Sequence, residues 1–80
     1  MKSILVQYFA LLREQARRSD ERVQTSAATP AELFAELRTR HGFTLAIAAL
    51  KVAVNDEFAR WETPLRDGDR VVFIPPVAGG

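Results

Sequence analysis

Thr29-Pro30-Ala31-Glu32-Leu33-Phe34-Ala35-Glu36-Leu37-Arg38-Thr39-Arg40-His41-Gly42 writes both ends of a helix into its own residues. Thr29 is a capping residue, Pro30 suits the first helical position, and Glu32 completes a capping box. Leu33, Phe34 and Leu37 fall on one apolar stripe. Arg38, Arg40 and His41 occupy the last turn, where the helix dipole favours cations, and Gly42 stands where a left-handed C-cap is wanted. This spacing predicts a helix that closes cleanly at both ends, and His41 reads as one of its last residues rather than as a metal ligand.

What flanks the helix decides the fold. Upstream, Ser3 to Phe9 is rich in β-branched and aromatic residues and reads as a buried strand. Ala10 to Arg18 reads as a short helix, Ser19 to Arg22 as a turn, and Glu21 to Thr25 as a second strand around Val23. Downstream, Phe43 to Leu50 fits either a loop or a helical turn. Lys51 to Asn55 reads as a strand with Val52 and Val54 on one face. Asn55-Asp56-Glu57 turns the chain into a short strand at Phe58 to Arg60, and Trp61 is expected to pack over the sheet edge. Thr63-Pro64 and Asp67-Gly68 are further turns, and Arg70 to Ile74 is an apolar final strand. The order predicts an α+β domain: a mixed sheet of about five strands, with helices packed on one face. The last strand belongs in the middle, beside the first.

Composition narrows the function. A chain of 80 residues is one domain, burying ~60–65% of the surface that its unfolded form exposes. Its 48% hydrophobic and 26% charged residues mark a globular protein rather than a disordered one. With no cysteine, disulfides, thiolate catalysis and cysteine-based metal sites are excluded; a single histidine excludes a histidine cluster. A net charge of +1 provides no field for nucleic acid. No apolar run approaches the ~20 residues that a membrane helix needs. Met1-Lys2-Ser3-Ile4 lacks a signal-peptide layout, so the cytoplasm is the expected location. No acid–base or nucleophile constellation stands out, which makes a stand-alone enzyme the weakest reading.

The tail carries the chemistry. Residues 1–74 read as the folded domain and 75–80, Pro-Pro-Val-Ala-Gly-Gly, as an extended tail. Two prolines end the strand and stiffen the exit. After them only Val77, Ala78, Gly79 and Gly80 remain, residues slender enough for a channel too narrow for ordinary side chains. The expectation is that Gly80 offers an unhindered terminal carboxylate to a partner's active site. A carboxylate becomes electrophilic when joined to adenylate, and a sulfur donor can then convert it to a thiocarboxylate. A chain without cysteine has no side chain on which to carry a persulfide, so sulfur would sit on this terminus.

Leu65-Arg66-Asp67-Gly68-Asp69-Arg70-Val71-Val72-Phe73-Ile74-Pro75-Pro76-Val77-Ala78-Gly79-Gly80 resembles the ending of the small, sulfur-carrying subunits of molybdopterin synthases. Phe9-Ala10 with Leu12-Arg13-Glu14 is similar to that family's first strand-to-helix junction, and Val54-Asn55 to its hairpin. The resemblance implies the ubiquitin-like β-grasp fold. It implies Gly80 as the thiocarboxylate carrier and Gly79 as its slender neighbour. It places Phe9, Arg13, Phe73, Pro75, Pro76, Val77 and Ala78 at or near the large-subunit contact; Ile74 stands where the family commonly has an aromatic. The implied partners are the large subunit, in a heterotetramer, an E1-like activating enzyme that uses ATP to adenylate Gly80, and a sulfurtransferase. No permanently bound cofactor and no metal are expected. The implied product is the dithiolene of molybdopterin, built on cyclic pyranopterin monophosphate. Two other readings fit a Gly-Gly end: a sulfur carrier for the thiamine thiazole, and a ubiquitin-like modifier.

Overall fold

The helix signal is realised at both ends in the computed structural model, which describes residues 1–76. Thr29 Oγ1 accepts the Glu32 N–H at 3.3 Å, and Glu32 Oε1 reaches back to the Ala28 N–H at 3.2 Å. Gly42 closes the helix at φ 72°, its N–H donating to the Arg38 carbonyl at 2.8 Å. The helix, α2, spans Pro30–His41 and buries Pro30, Leu33, Phe34 and Leu37.

Around it lie β1 (Lys2–Tyr8), α1 (Ala10–Ala16), β2 (Asp20–Thr25), β3 (Lys51–Val54), β4 (Glu57–Ala59) and β5 (Arg70–Ile74). The sheet order is β2-β1-β5-β3-β4, with β1 and β5 parallel and every other pair antiparallel. This is the mixed five-stranded sheet that the element order implied, with the last strand beside the first, and the β-grasp fold that the resemblance implied. The ambiguous stretch before β3 contains a short 3₁₀ turn at Ile47–Ala49, and Phe43 goes into the core.

α1 is shorter than its composition suggests. Arg17 turns left-handed at φ 61° and its N–H closes on the Arg13 carbonyl at 2.9 Å. The chain then doubles back, and the Ser19 carbonyl accepts the Tyr8 N–H at 2.8 Å. Closing β1 onto β2 requires that reversal, so tertiary pairing overrides helix propensity here. β1 likewise ends at Tyr8, and Phe9 leaves the sheet to start α1.

Strand alternation sorts the sheet into two faces. Ile4, Val6 and Tyr8 of β1 and Val71 and Phe73 of β5 point to the helices and share one core with Leu12, Leu33, Phe34 and Leu37. Trp61 stacks flat on Phe73, with ring centroids 6.0 Å apart, and meets Phe34 edge-on at 6.3 Å. It therefore packs over the central strand rather than over the sheet edge where it was expected, because the aromatic rings of Phe73 and Phe34 give it the larger apolar surface to cover. Asn55 and Asp56 both take positive φ in the β3–β4 hairpin. The Asn55 side chain ties that turn to the next strand, accepting the Arg70 N–H at 2.9 Å and donating to Asp69 at 2.9 Å.

Candidate functional site

β5 lies between β1 and β3, so hydrogen-bonded neighbours flank its last residues on both sides. Phe73 pairs with Tyr8 on one side and Val52 on the other, and Ile74 pairs with Lys51. Pro75 and Pro76 follow at once, half-buried and exposed respectively. A central strand is the stiffest mount that the sheet offers, and neither proline can continue the ladder. The four positions expected to do the chemistry or enter the partner, Val77, Ala78, Gly79 and Gly80, lie outside the described residues.

The other expected contact residues separate. Phe9 is 50% exposed and stands at the same end of the sheet as Pro75, because β1 and β5 run parallel. Arg13 is exposed on α1 and has no ion pair among the described residues. Phe73 is fully buried, with Phe34 edge-on at 5.2 Å and Trp61 stacked on it. It offers a partner no side-chain surface; it anchors the strand from beneath. The reason is register: Val71 and Phe73 point inward, so Arg70, Val72 and Ile74 point to the face that carries no helix.

That open face holds residues that sequence reasoning missed. Paired strands place Gln7, Val72, Ala53 and Phe58 in one row across it, and Ile74 beside Lys51. Phe58 is 75% exposed, and Leu5, Val72 and Ile74 are half-buried. These apolar side chains lie on a sheet surface that no helix of the chain covers, the kind of surface that a partner protein can cover. The signal in the sequence was the outward set of β5: alternation calls for polar residues there, and the chain has Val72 and Ile74.

Behind the launching end sits a polar cluster. Glu21 Oε1 accepts from the Tyr8 hydroxyl at 2.5 Å and from His41 Nε2 at 2.5 Å, and Arg18 meets its other oxygen at 3.3 Å. The Glu21 and His41 side chains are only 8% and 14% exposed. Burial alone would raise the Glu21 pKa; the hydrogen bonds from Tyr8 and His41, with the nearby charges of His41 and Arg18, outweigh it and lower the value. Burial, then the Glu21 hydrogen bond and charge, push the Tyr8 hydroxyl well above the usual phenol range. His41 is thus a cross-link from α2 to β2, a partner that the sequence did not disclose.

A lowered Glu21 pKa means that its stabilisation is complete above the ordinary glutamate value of 4.5 and is lost as pH falls through the lower folded-state value. Glu21→Gln should cost about 1–3 kcal/mol at pH 7, because Tyr8, His41 and Arg18 all lose a charged acceptor and the new amide NH2 can accept from none of them. Urea unfolding from pH 7 to pH 3 should show wild type and variant converging at the acid end. Parallel curves would rule out this linkage.

Among the described residues no group of three His, Cys, Asp or Glu side chains is placed to hold a metal ion. What the geometry defines is a β-grasp domain whose central strand runs straight into two prolines, beside an apolar sheet face. The chain belongs to the ThiS family, whose model matches residues 6–80. It is 35% identical over 80 residues to the molybdopterin synthase sulfur carrier subunit of Escherichia coli, covering 96% of this chain and 99% of that one. Among solved structures it is similar to the putative molybdopterin converting factor subunit 1 of Pyrococcus furiosus (30% identity, TM-score 0.82, 96% and 100% coverage). It also resembles SAMP1 of Haloferax volcanii (27%, 0.81, 98% and 99%). A further match is to the protein–protein complex of molybdopterin-converting factor subunits 1 and 2 from Helicobacter pylori (28%, 0.67, 98% and 99%). No helix among the described residues is long and apolar enough to cross a membrane.

Proposed function

We propose that this chain is the sulfur-carrier subunit of a molybdopterin synthase. The observation that carries the reading is its 35% identity, along nearly its whole length, to a protein of that function. The Phe73-Ile74-Pro75-Pro76-Val77-Ala78-Gly79-Gly80 ending supports it. The fold is shared with SAMP1 and does not by itself separate a carrier from a modifier; the sequence identity is what favours the carrier. In this reading an activating enzyme joins the Gly80 carboxylate to adenylate at the expense of ATP, with pyrophosphate leaving. A sulfur donor, supplied by a sulfurtransferase, displaces AMP and leaves a thiocarboxylate. The large subunit takes the loaded tail into its own active site, where two sulfurs in turn build the dithiolene on cyclic pyranopterin monophosphate. In this reading the chain supplies the reactive end, and its partners supply the groups that act on it.

The structure suits that division of labour. The partner that receives the tail must close over Pro75 and Pro76 and so meets the open sheet face, where Phe58, Val72 and Ile74 offer apolar area. The solved complex of subunits 1 and 2 supports a large subunit as that partner, and two carriers flanking a large-subunit dimer is the assembly we propose. The test is intact mass after incubation with ATP, the cognate activating enzyme and a sulfur donor. The expected result is the gain for one oxygen replaced by sulfur, followed by molybdopterin once the large subunit and precursor are added. No mass gain under conditions that load a known carrier sinks the proposal.

A further inference from the structure

At the tail's exit, Ala49, Lys51, Ile74, Pro75 and Pro76 line an open, mainly apolar groove of about 340 Å³. Among the described residues Lys51 forms its only charged wall. The chain has two lysines, and they are placed very differently. Lys2 Nζ donates to the Ala27 carbonyl at 3.1 Å. Lys51 has no carboxylate partner among the described residues; its ammonium stands 5.9 Å from the centre of the exposed Phe58 ring. Its backbone is held opposite Ile74, one residue before the two prolines.

We propose that Lys51 is a specificity-determining contact, and that the groove receives an apolar side chain flanked by a carboxylate from the synthase large subunit. The inference rests on the proposed function and deepens it by stating the chemistry that the partner must present. A protein that accepts the tail cannot avoid this groove, since Pro75 and Pro76 are both its wall and the start of the tail. Docking there strips water from Lys51. An ammonium buried without an anion costs more than the surrounding apolar contacts return, so a cognate partner has to bring a carboxylate. A large subunit that lacks the acid pays that desolvation uncompensated, and this is how one charged residue discriminates among otherwise similar partners.

The test measures the affinity of the full chain for its cognate large subunit at two or more salt concentrations, and the synthase KM for the loaded carrier. Lys51→Met keeps the apolar stem and removes the charge; Lys51→Glu reverses it. The expected result is at least 10-fold weaker binding for Lys51→Met and at least 100-fold for Lys51→Glu, with KM raised and kcat at saturation unchanged. Salt dependence should flatten in Lys51→Met, and both variants should keep the wild-type unfolding midpoint. Lys51→Met within twofold of wild type, with the same salt dependence, overturns the proposal while leaving the function intact. Wild-type chain that fails to bind the large subunit at all overturns the function and the groove together.

Discussion

Adding one residue after Gly80 is expected to abolish sulfur loading and molybdopterin formation while leaving the domain folded. Every core residue lies at or before Phe73, and the final strand ends at Ile74, so the folded domain has no stake in the length of the tail. The chemistry has every stake in it. One more residue displaces the carboxylate by up to ~3.5 Å, whereas reacting atoms must approach to about 3–3.5 Å in the right orientation, and a misplacement of ~1 Å is enough to cost about 100-fold. The extra side chain also has to enter a path that Gly79 and Gly80 would leave clear. Intact mass after activation, compared with thermal unfolding of the same sample, makes the distinction. An extended chain that still loads sulfur would refute the terminal-carboxylate mechanism, whatever its stability.

Phe73→Ala should have the opposite profile: a large loss of stability with the tail chemically intact. Phe73 is fully buried in the central strand, between the rings of Phe34 and Trp61. Truncating such a ring removes its transfer free energy and leaves a cavity that the rigid rings of Phe34, edge-on, and Trp61, stacked, cannot collapse into, for a cost of about 3–5 kcal/mol. A domain of this size loses ~4–8 °C of melting temperature for each kcal/mol, so the variant should be marginal at 37 °C. Ile74→Ala, one residue on and facing outward, should cost less than about 1.5 kcal/mol. Urea unfolding of the two variants side by side measures the contrast. A Phe73→Ala cost below about 1 kcal/mol would mean that the ring is not the anchor of the final strand.

That contrast between neighbouring residues shows where reading the chain reaches its limit. The family resemblance placed Phe73 at or near the partner contact and gave Ile74 no role, whereas the structure turns Phe73 into the core and Ile74 toward the groove. Both are apolar, both sit in a strand, and an apolar run looks the same whichever face it presents. A shift of one residue exchanges the faces, and only pairing with Tyr8 and Val52 settles which applies. Phe58 escaped for a related reason, since exposure of an aromatic in a short edge strand depends on what the rest of the sheet leaves uncovered.

Local chemistry is what the sequence alone determined. The caps of α2, from Thr29 through Glu32 to Gly42, depend on residues within a few positions of one another and were legible without a fold. The element order, the central place of β5, and the proline-aimed small-residue ending follow from short-range pattern and composition. Tertiary structure decided everything that joins distant segments: Tyr8, Glu21 and His41 meeting at one carboxylate oxygen, Trp61 stacking on Phe73, and Lys51 brought beside Ile74 and the prolines. Those contacts exist because sheet register and helix docking carry side chains across tens of residues of chain, and register is a property of the whole sheet rather than of any stretch within it.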